Sequence, residues 1–339
     1  MKAALLRQVN EVEIADLEMP QIGPGEILVK VYACGLCSTD VSKIRGKEAG
    51  TRIVLGHEVV GEVAQVGAEV SRFSVGDRVV VAHHAPCFIC HYCRHSNYSM
   101  CPDFKSSNIY PGGFAEFIQV PRENVNKATF KIPPEVSYED AALTEPAACC
   151  LRGVKLSHLL PGDWAVVVGT GTMGLLLTQM LCLFNVNVIA LDLDNSRLAV
   201  ALESGARWAL NPQRDDVTGE IKKFSDGRGA DVAILTVVNQ PILDLALGYL
   251  RDGGKINLFA WPAKDVNITV DFFQIFRREL SIFGSYSTTS IELQETLDLI
   301  KMQKISPGKL ITHNLPLSRL MEGVKLVEEG QALKILIKP

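Results

Sequence analysis

The chain has no long run of one charge sign: its 34 Lys and Arg and 38 Asp and Glu are interspersed and leave a formal net charge of -4. That balance gives no support to a nucleic-acid surface or to an anionic-membrane surface. No secretory leader is expected, because Met1-Lys2-Ala3-Ala4-Leu5-Leu6-Arg7-Gln8 meets charge and amide before an apolar core can form. The longest apolar stretch, Leu175 to Leu193, is broken by Thr178, Gln179, Asn185, Asn187 and Asp192, which disfavours a membrane span. These absences lead to the expectation of a soluble, cytoplasmic protein. Nine cysteines in such a compartment do not read as a disulfide framework, so metal binding or catalysis is the first use to consider.

At 339 residues the chain is long for one core, and two domains are expected. Its centre carries the clearest signal of organisation. Trp164 to Val168 is a short β-branched run suited to a strand buried on both faces, and Gly169 stops it. Gly169, Gly171 and Gly174 form G-x-G-x-x-G; Thr172 and Met173 open an apolar helical stretch to Leu183; a second strand, Val186 to Leu191, ends at Asp192. Strand, glycine turn, helix, strand and acidic residue in that order are those of a dinucleotide-binding unit. The helix N-terminus offers unpaired N–H groups to a pyrophosphate, and Asp192 is placed to accept from the adenosine ribose hydroxyls. Its charge would repel a 2′-phosphate, so NAD is expected over NADP, with Arg197 a ribose or adenine neighbour.

Residues 1 to about 130 show short alternating strands with turn punctuation and hardly any helical periodicity, the pattern of a β-rich barrel. Within them Cys87, Cys90, Cys93 and Cys101 stand as C-x2-C-x2-C-x7-C. Four closely spaced thiols in a reducing compartment fit a closed, structural zinc site, with an iron-sulfur cluster the alternative. His83, His84, His91 and His95 nearby are expected to be exposed loop residues, since four cysteines already fill the shell. Cys37 and His57 are too far apart to define a site by spacing. Glu58 and Glu145 nevertheless add carboxylates, and Asp40 could orient a ligating histidine; Cys, His and carboxylate together suit a zinc that keeps a position open.

The motifs Gly35-Leu36-Cys37-Ser38-Thr39-Asp40, Gly56-His57-Glu58, Gly76-Asp77-Arg78-Val79, Gly112 to Phe117, Thr144-Glu145-Pro146, the four cysteines, the glycine turn and a C-terminal A-L-K-I-L-I-K-P span nearly the whole chain. Together they resemble the zinc-containing medium-chain alcohol dehydrogenase superfamily, in its sorbitol (polyol) and threonine dehydrogenase branch. The resemblance implies an α/β chain with a GroES-like β-rich catalytic domain, 1–150 with 285–339, and a doubly wound Rossmann domain, 151–284, that binds NAD. It implies two zinc ions: a structural one on the cysteines and a catalytic one on Cys37, His57 and Glu58 or Glu145. Thr39 would pass the alcohol proton outward. A homo-oligomer, tetramer before dimer, is expected on the same ground.

Three positions depart from the family pattern: Ser42 stands where a relay histidine is common, Arg152 where a histidine is common, and Gly284-Ser285-Tyr286-Ser287-Thr288 has no arginine. Later strands are expected over Ala230–Leu235 and Leu250–Phe259, with Val237 and Phe259 at strand ends where a nicotinamide would lie. Trp261, Tyr286, Ser287 and Arg152 are candidate substrate contacts. The expected reaction is oxidation of a secondary alcohol, polyol or sugar-like, to the ketone with hydride passing to NAD. L-Threonine, a sugar-alcohol phosphate and a simple alcohol are alternative substrates. A non-catalytic, zinc-stabilised dinucleotide-binding protein is the alternative function, but it predicts lost catalytic ligands and none is lost.

Overall fold

The computed structural model describes residues 1–46, 53–259 and 267–339, so Trp261 lies outside the described residues. Two compact units emerge, one of residues 1–148 and 288–339 and the other of residues 149–287.

The first unit is mostly antiparallel. A hairpin pairs β1 (Lys2–Gln8) with β2 (Glu11–Asp16). Its main sheet uses β3 (Ile27–Gly35), β4 (Glu58–Val66), β5 (Arg78–Ala82), β6 (Phe117–Val120), β7 (Thr129–Lys131), β14 (Ile311–Pro316) and β15 (Lys334–Lys338). The order is β14-β15-β3-β4-β5-β7, with β6 also on β3. Alternation drives this packing: in β3, Lys30 and Tyr32 are exposed while Val29, Val31 and Ala33 enter the core with Val59, Val63, Val79 and Ile118. The β3–β4 register sets Gly35 opposite Glu58, and β15 pairs Leu336 with the same Gly35. Three strand ends therefore converge on one point, where the chemistry described below is found.

The second unit is a six-stranded parallel sheet of β8 (Trp164–Val168), β9 (Asn187–Leu191), β10 (Trp208–Leu210), β11 (Ala230–Leu235), β12 (Leu250–Leu258) and β13 (Ser281–Gly284). Its order, β10-β9-β8-β11-β12-β13, reverses direction between β8 and β11. That reversal leaves a crevice beyond the carboxyl ends of β8 and β11, the usual ligand position of a doubly wound sheet. All of β8 and β11 is buried, as strands covered on both faces require.

Among the described residues no helix is long and apolar enough to cross a membrane.

Candidate active site and metal centres

In the first unit β3 ends at Gly35, and Cys37 caps the helix Ser38–Ile44 that follows. Asp40, 1% exposed in the first turn of that helix, holds two segments at once. Its Oδ2 accepts from the Cys37 backbone N–H at 3.1 Å, and its Oδ1 accepts from the Gly56 N–H at 3.2 Å. The same Oδ1 lies 3.4 Å from His57 Nδ1, which leaves Nε2 as the ring atom available to a metal. Gly56 is required at this turn: its φ is +88°, and a β-carbon would come within 2.8 Å of the Phe114 nitrogen. Burial works against a charged His57, yet the neighbouring Asp40 carboxylate lifts its pKa well above the ordinary histidine value. Asp40 is buried too, and His57 beside it draws its pKa below the ordinary value.

Cys37, His57 and Glu58 offer one thiol, one imidazole and one carboxylate whose ligand atoms all lie within 4.8 Å of one another. A soft, a borderline and a hard donor of this kind, three in number, suit a zinc that retains an open position. Thr39 places its hydroxyl 3.6 Å from Cys37 Sγ. Glu145 is buried in the first turn of the helix Thr144–Ser157 and is not part of that group of three. Its charge is nonetheless felt by Lys334, a residue that the sequence reading passed over. Lys334 begins β15 and forms an ion pair with Glu58 Oε2, its Nζ also donating to the Leu36 carbonyl at 3.3 Å. Burial lowers the Lys334 pKa, but Glu58, followed by Cys37 and Glu145, more than offsets this and raises it. A single lysine inside the apolar run A-L-K-I-L-I was the available signal, since a buried charge demands a partner.

The four cysteines form a second group of candidate metal ligands, their sulfurs all within 4.8 Å of one another. Cys87 Sγ lies 3.9 Å from Cys93 Sγ and 3.5 Å from Cys101 Sγ, close to the roughly 3.8 Å sulfur separation that a tetrahedral zinc with ~2.3 Å bonds imposes. These separations are far above the ~2.05 Å of a disulfide, and none of the nine cysteines is in a disulfide. The Cys90 N–H points at Cys87 Sγ at 3.3 Å, and backbone donors of Ile89 and Cys90 lower the Cys87 thiol to about 7. Burial pushes Cys93 the other way, to about 12. His91 and His95 are exposed as expected, but His83 and His84 are half-buried. Strand β5 runs straight into them and turns their rings inward, so that His83 lies against His57, the ring centroids 4.9 Å apart.

In the second unit Gly169 has φ +88°, and a β-carbon on Gly174 would stand 1.9 Å from the Gly169 carbonyl oxygen, so the helix Thr172–Leu183 can meet β8 only with glycine there. Gly171, which caps that helix, has nothing within 4 Å of its missing β-carbon. An open cradle at a helix N-terminus fits a pyrophosphate. Asp192 follows β9; its Oδ2 accepts both the Thr170 N–H at 2.6 Å and the Thr170 hydroxyl at 2.9 Å, and its Oδ1 accepts the Asp194 N–H at 3.0 Å. Thr170, fully buried, is a second residue that the sequence reading missed. Arg197 is half-buried, its Nε 3.9 Å from Asp194. Val237 is 49% exposed after the end of β11, and Phe259 packs close enough to Gly153 to exclude any larger residue there. Thr172 and Met173 open the helix, with Cys150 Sγ 3.5 Å from the Met173 carbonyl. Arg152, Tyr286 and Ser287 belong to this unit and not to the unit that holds Cys37, His57 and Glu58.

Comparison with known proteins agrees with this architecture. Residues 23–133 match the alcohol dehydrogenase GroES-like domain and residues 172–302 the zinc-binding dehydrogenase family. The chain is 31% identical to sorbitol dehydrogenase of Bacillus subtilis (strain 168), with 100% of this chain and 97% of that protein covered. The solved 2R,3R-butanediol dehydrogenase from Bacillus subtilis is 30% identical with a TM-score of 0.87 over 100% of this chain and 99% of that one. A zinc-binding dehydrogenase of Sinorhizobium meliloti 1021, solved bound to NADP, reaches a TM-score of 0.91 at 28% identity, again covering 100% and 99%. A GroES-like unit, a Rossmann unit and these relatives place the chain in the zinc-containing medium-chain alcohol dehydrogenase superfamily, in its polyol branch, as a zinc-dependent alcohol or polyol dehydrogenase.

Proposed function

We propose that the chain oxidises a secondary hydroxyl of a polyol or sugar-like substrate to the ketone, with NAD as the acceptor. The observation that carries this reading is the grouping of Cys37, His57 and Glu58 around one point with Asp40 orienting the histidine. Sorbitol and 2R,3R-butanediol, named for two relatives, share a secondary hydroxyl beside a second hydroxyl, which favours that substrate class.

When bound, zinc supplies a Lewis acid to the substrate oxygen, and the nicotinamide supplies the hydride acceptor. The chain's own residues do the rest. Cys37, His57 and Glu58 would hold the ion, Asp40 fixes the His57 ring, and Lys334 balances the charge of Glu58. The Thr39 hydroxyl, half-buried beside Cys37, would accept the substrate proton as it passes its own outward, and Ser42 stands where a relay histidine is common. Glu145, whose charge reaches Lys334, would be available as a second carboxylate. Cys87, Cys90, Cys93 and Cys101 would hold a structural zinc. The unit 149–287 binds the dinucleotide through the Gly169–Gly174 turn and Asp192, whose carboxylate favours NAD.

A homo-oligomer in the cytoplasm completes the proposal; four clustered thiols with no disulfide among them belong in a reducing compartment. Turnover of a polyol panel with NAD and NADP, followed through absorbance of the reduced cofactor, tests the reading. It predicts activity on vicinal secondary hydroxyls with NAD, abolished by a chelator. A zinc-loaded protein inert towards every alcohol offered would overturn it.

A further inference from the structure

The metal group and the four-cysteine lobe belong to the same unit, and a line of aromatic rings joins them. His57 meets His83 with centroids 4.9 Å apart and planes inclined by 51°. His83 meets His84 at 3.9 Å and 43°, and His84 meets Phe104 at 4.7 Å and 40°. Phe104, 2% exposed, packs with Cys93 and Cys101 in the small core of the lobe. The far end of the line is anchored by hydrogen bonds. His84 Nδ1 donates to the Ser107 carbonyl at 2.7 Å, the Ala85 N–H donates to Ser107 Oγ at 2.8 Å, and Ser107 Oγ donates to the Phe104 carbonyl at 3.2 Å.

This arrangement supplies what Asp40 alone lacks. A histidine held at Nδ1 by one oxygen 3.4 Å away can still tilt about that contact, and a tilt of the ring moves Nε2. A second ring packed against it at 4.9 Å restricts that freedom. We propose that His83 and His84 are positioning residues that fix the ring plane of His57 and carry the order of the four-cysteine lobe to the catalytic metal. The role is one of packing and not of ligation or proton transfer, and it rests on the reading that Cys37, His57 and Glu58 hold a metal. It also gives the lobe a consequence beyond its own folding, since a lobe that loosens lets His84 and then His83 shift.

The test is metal affinity, measured on the full chain without substrate. Cobalt is titrated into protein stripped at the Cys37 site, against a competing chelator, with the ligand-field spectrum as readout and zinc in the lobe counted by atomic emission. His83→Ala is expected to weaken cobalt binding about tenfold or more, the usual reach of residues that orient metal ligands, while one zinc per chain stays in the lobe. His83→Phe, which restores a ring without its nitrogens, should return the affinity to within about threefold of the parent. His84→Ala cuts the same line one step further out and should reproduce the loss if His83→Ala is poorly folded. Unchanged affinity in both alanine variants would overturn the proposal. Equal loss in His83→Phe and His83→Ala would overturn it as well, because His83 would then act through its nitrogens. A parent chain that binds only the lobe zinc would sink the functional reading, and this proposal with it, before any variant is made.

Discussion

Lys334 and Glu58 form an ion pair with side chains only 4% and 1% exposed, at the point where β15, β3 and β4 converge. The pair is enclosed so closely that a β-carbon on Gly35 would stand 1.8 Å from Glu58 Oε2 and 2.9 Å from the Lys334 side chain. Removing one partner of a buried pair leaves an uncompensated charge, at a cost of about 3–5 kcal/mol. Lys334→Met should therefore unfold at clearly lower denaturant concentration than the parent in the presence of a chelator. Zinc at Cys37, His57 and Glu58 would supply the missing positive charge, so adding it should recover part of the loss. A double variant with Glu58→Gln should be less destabilised than Lys334→Met alone. Denaturation curves for the three proteins, with and without zinc, decide the matter.

The two metal groups should separate by what each loss removes. Metal binding and folding are coupled at closed thiolate sites, so Cys93→Ala is expected to lower the melting temperature and to release one of two zinc ions per chain. Glu145→Ala lies outside the group of three ligands; it should keep both ions, its fold and dinucleotide binding while losing most of kcat. Emission spectrometry, melting curves and steady-state kinetics on the two variants show the division, and a Glu145→Ala enzyme with the parent's kcat and KM would remove Glu145 from the mechanism.

The parts of this molecule that were legible in the sequence are those whose physics is local. Trp164 to Val168, Ala230 to Leu235 and the glycine turn announce themselves because strand burial and tight turns are written in consecutive residues. The four cysteines were equally plain, being packed into 15 positions. What was missed depends on strand register. Lys334 reaches Glu58 across 276 positions only because β15 and β4 both flank β3, and no periodicity reports that pairing. His83 and His84 looked like loop residues, since the end of β5 could not be seen to set His83 against His57 and His84 against Phe104.

Cofactor choice should turn on Asp192 and on the residue that holds it. Asp192→Ala removes the acceptor for the ribose hydroxyls and the charge that repels a 2′-phosphate, so KM for NAD should rise and the preference for NAD over NADP should shrink, by about tenfold for each ~1.4 kcal/mol lost. Thr170→Val keeps the carboxylate but cuts the 2.9 Å hydroxyl contact to it while retaining the backbone N–H bond. A smaller rise in KM for NAD, with kcat unchanged, is expected. Equal kcat/KM with both cofactors in the parent enzyme would contradict the assignment.

Tyr249 offers the cleanest stability test. It ends the helix Gln240–Tyr249 with no exposed surface, inside the apolar core of the second unit, and its hydroxyl has no hydrogen-bond partner among the described residues. An unpaired buried hydroxyl costs about 1–3 kcal/mol, so Tyr249→Phe should stabilise the fold at neutral pH. Burial also raises the Tyr249 pKa above the ordinary value near 10. A raised pKa means that the folded chain keeps this proton after the unfolded chain has released it. The contribution is complete below the unfolded pKa and is lost as pH climbs above about 10, at roughly 1.4 kcal/mol per pH unit for one proton. The parent should therefore weaken faster than Tyr249→Phe between about pH 10 and 11, and the stability difference between them should widen. Trp164 and Trp208, packed against one another in this same core with centroids 5.2 Å apart, report its unfolding by fluorescence. Parallel alkaline profiles for the two proteins would show that Tyr249 ionises as readily folded as unfolded, and would contradict its burial.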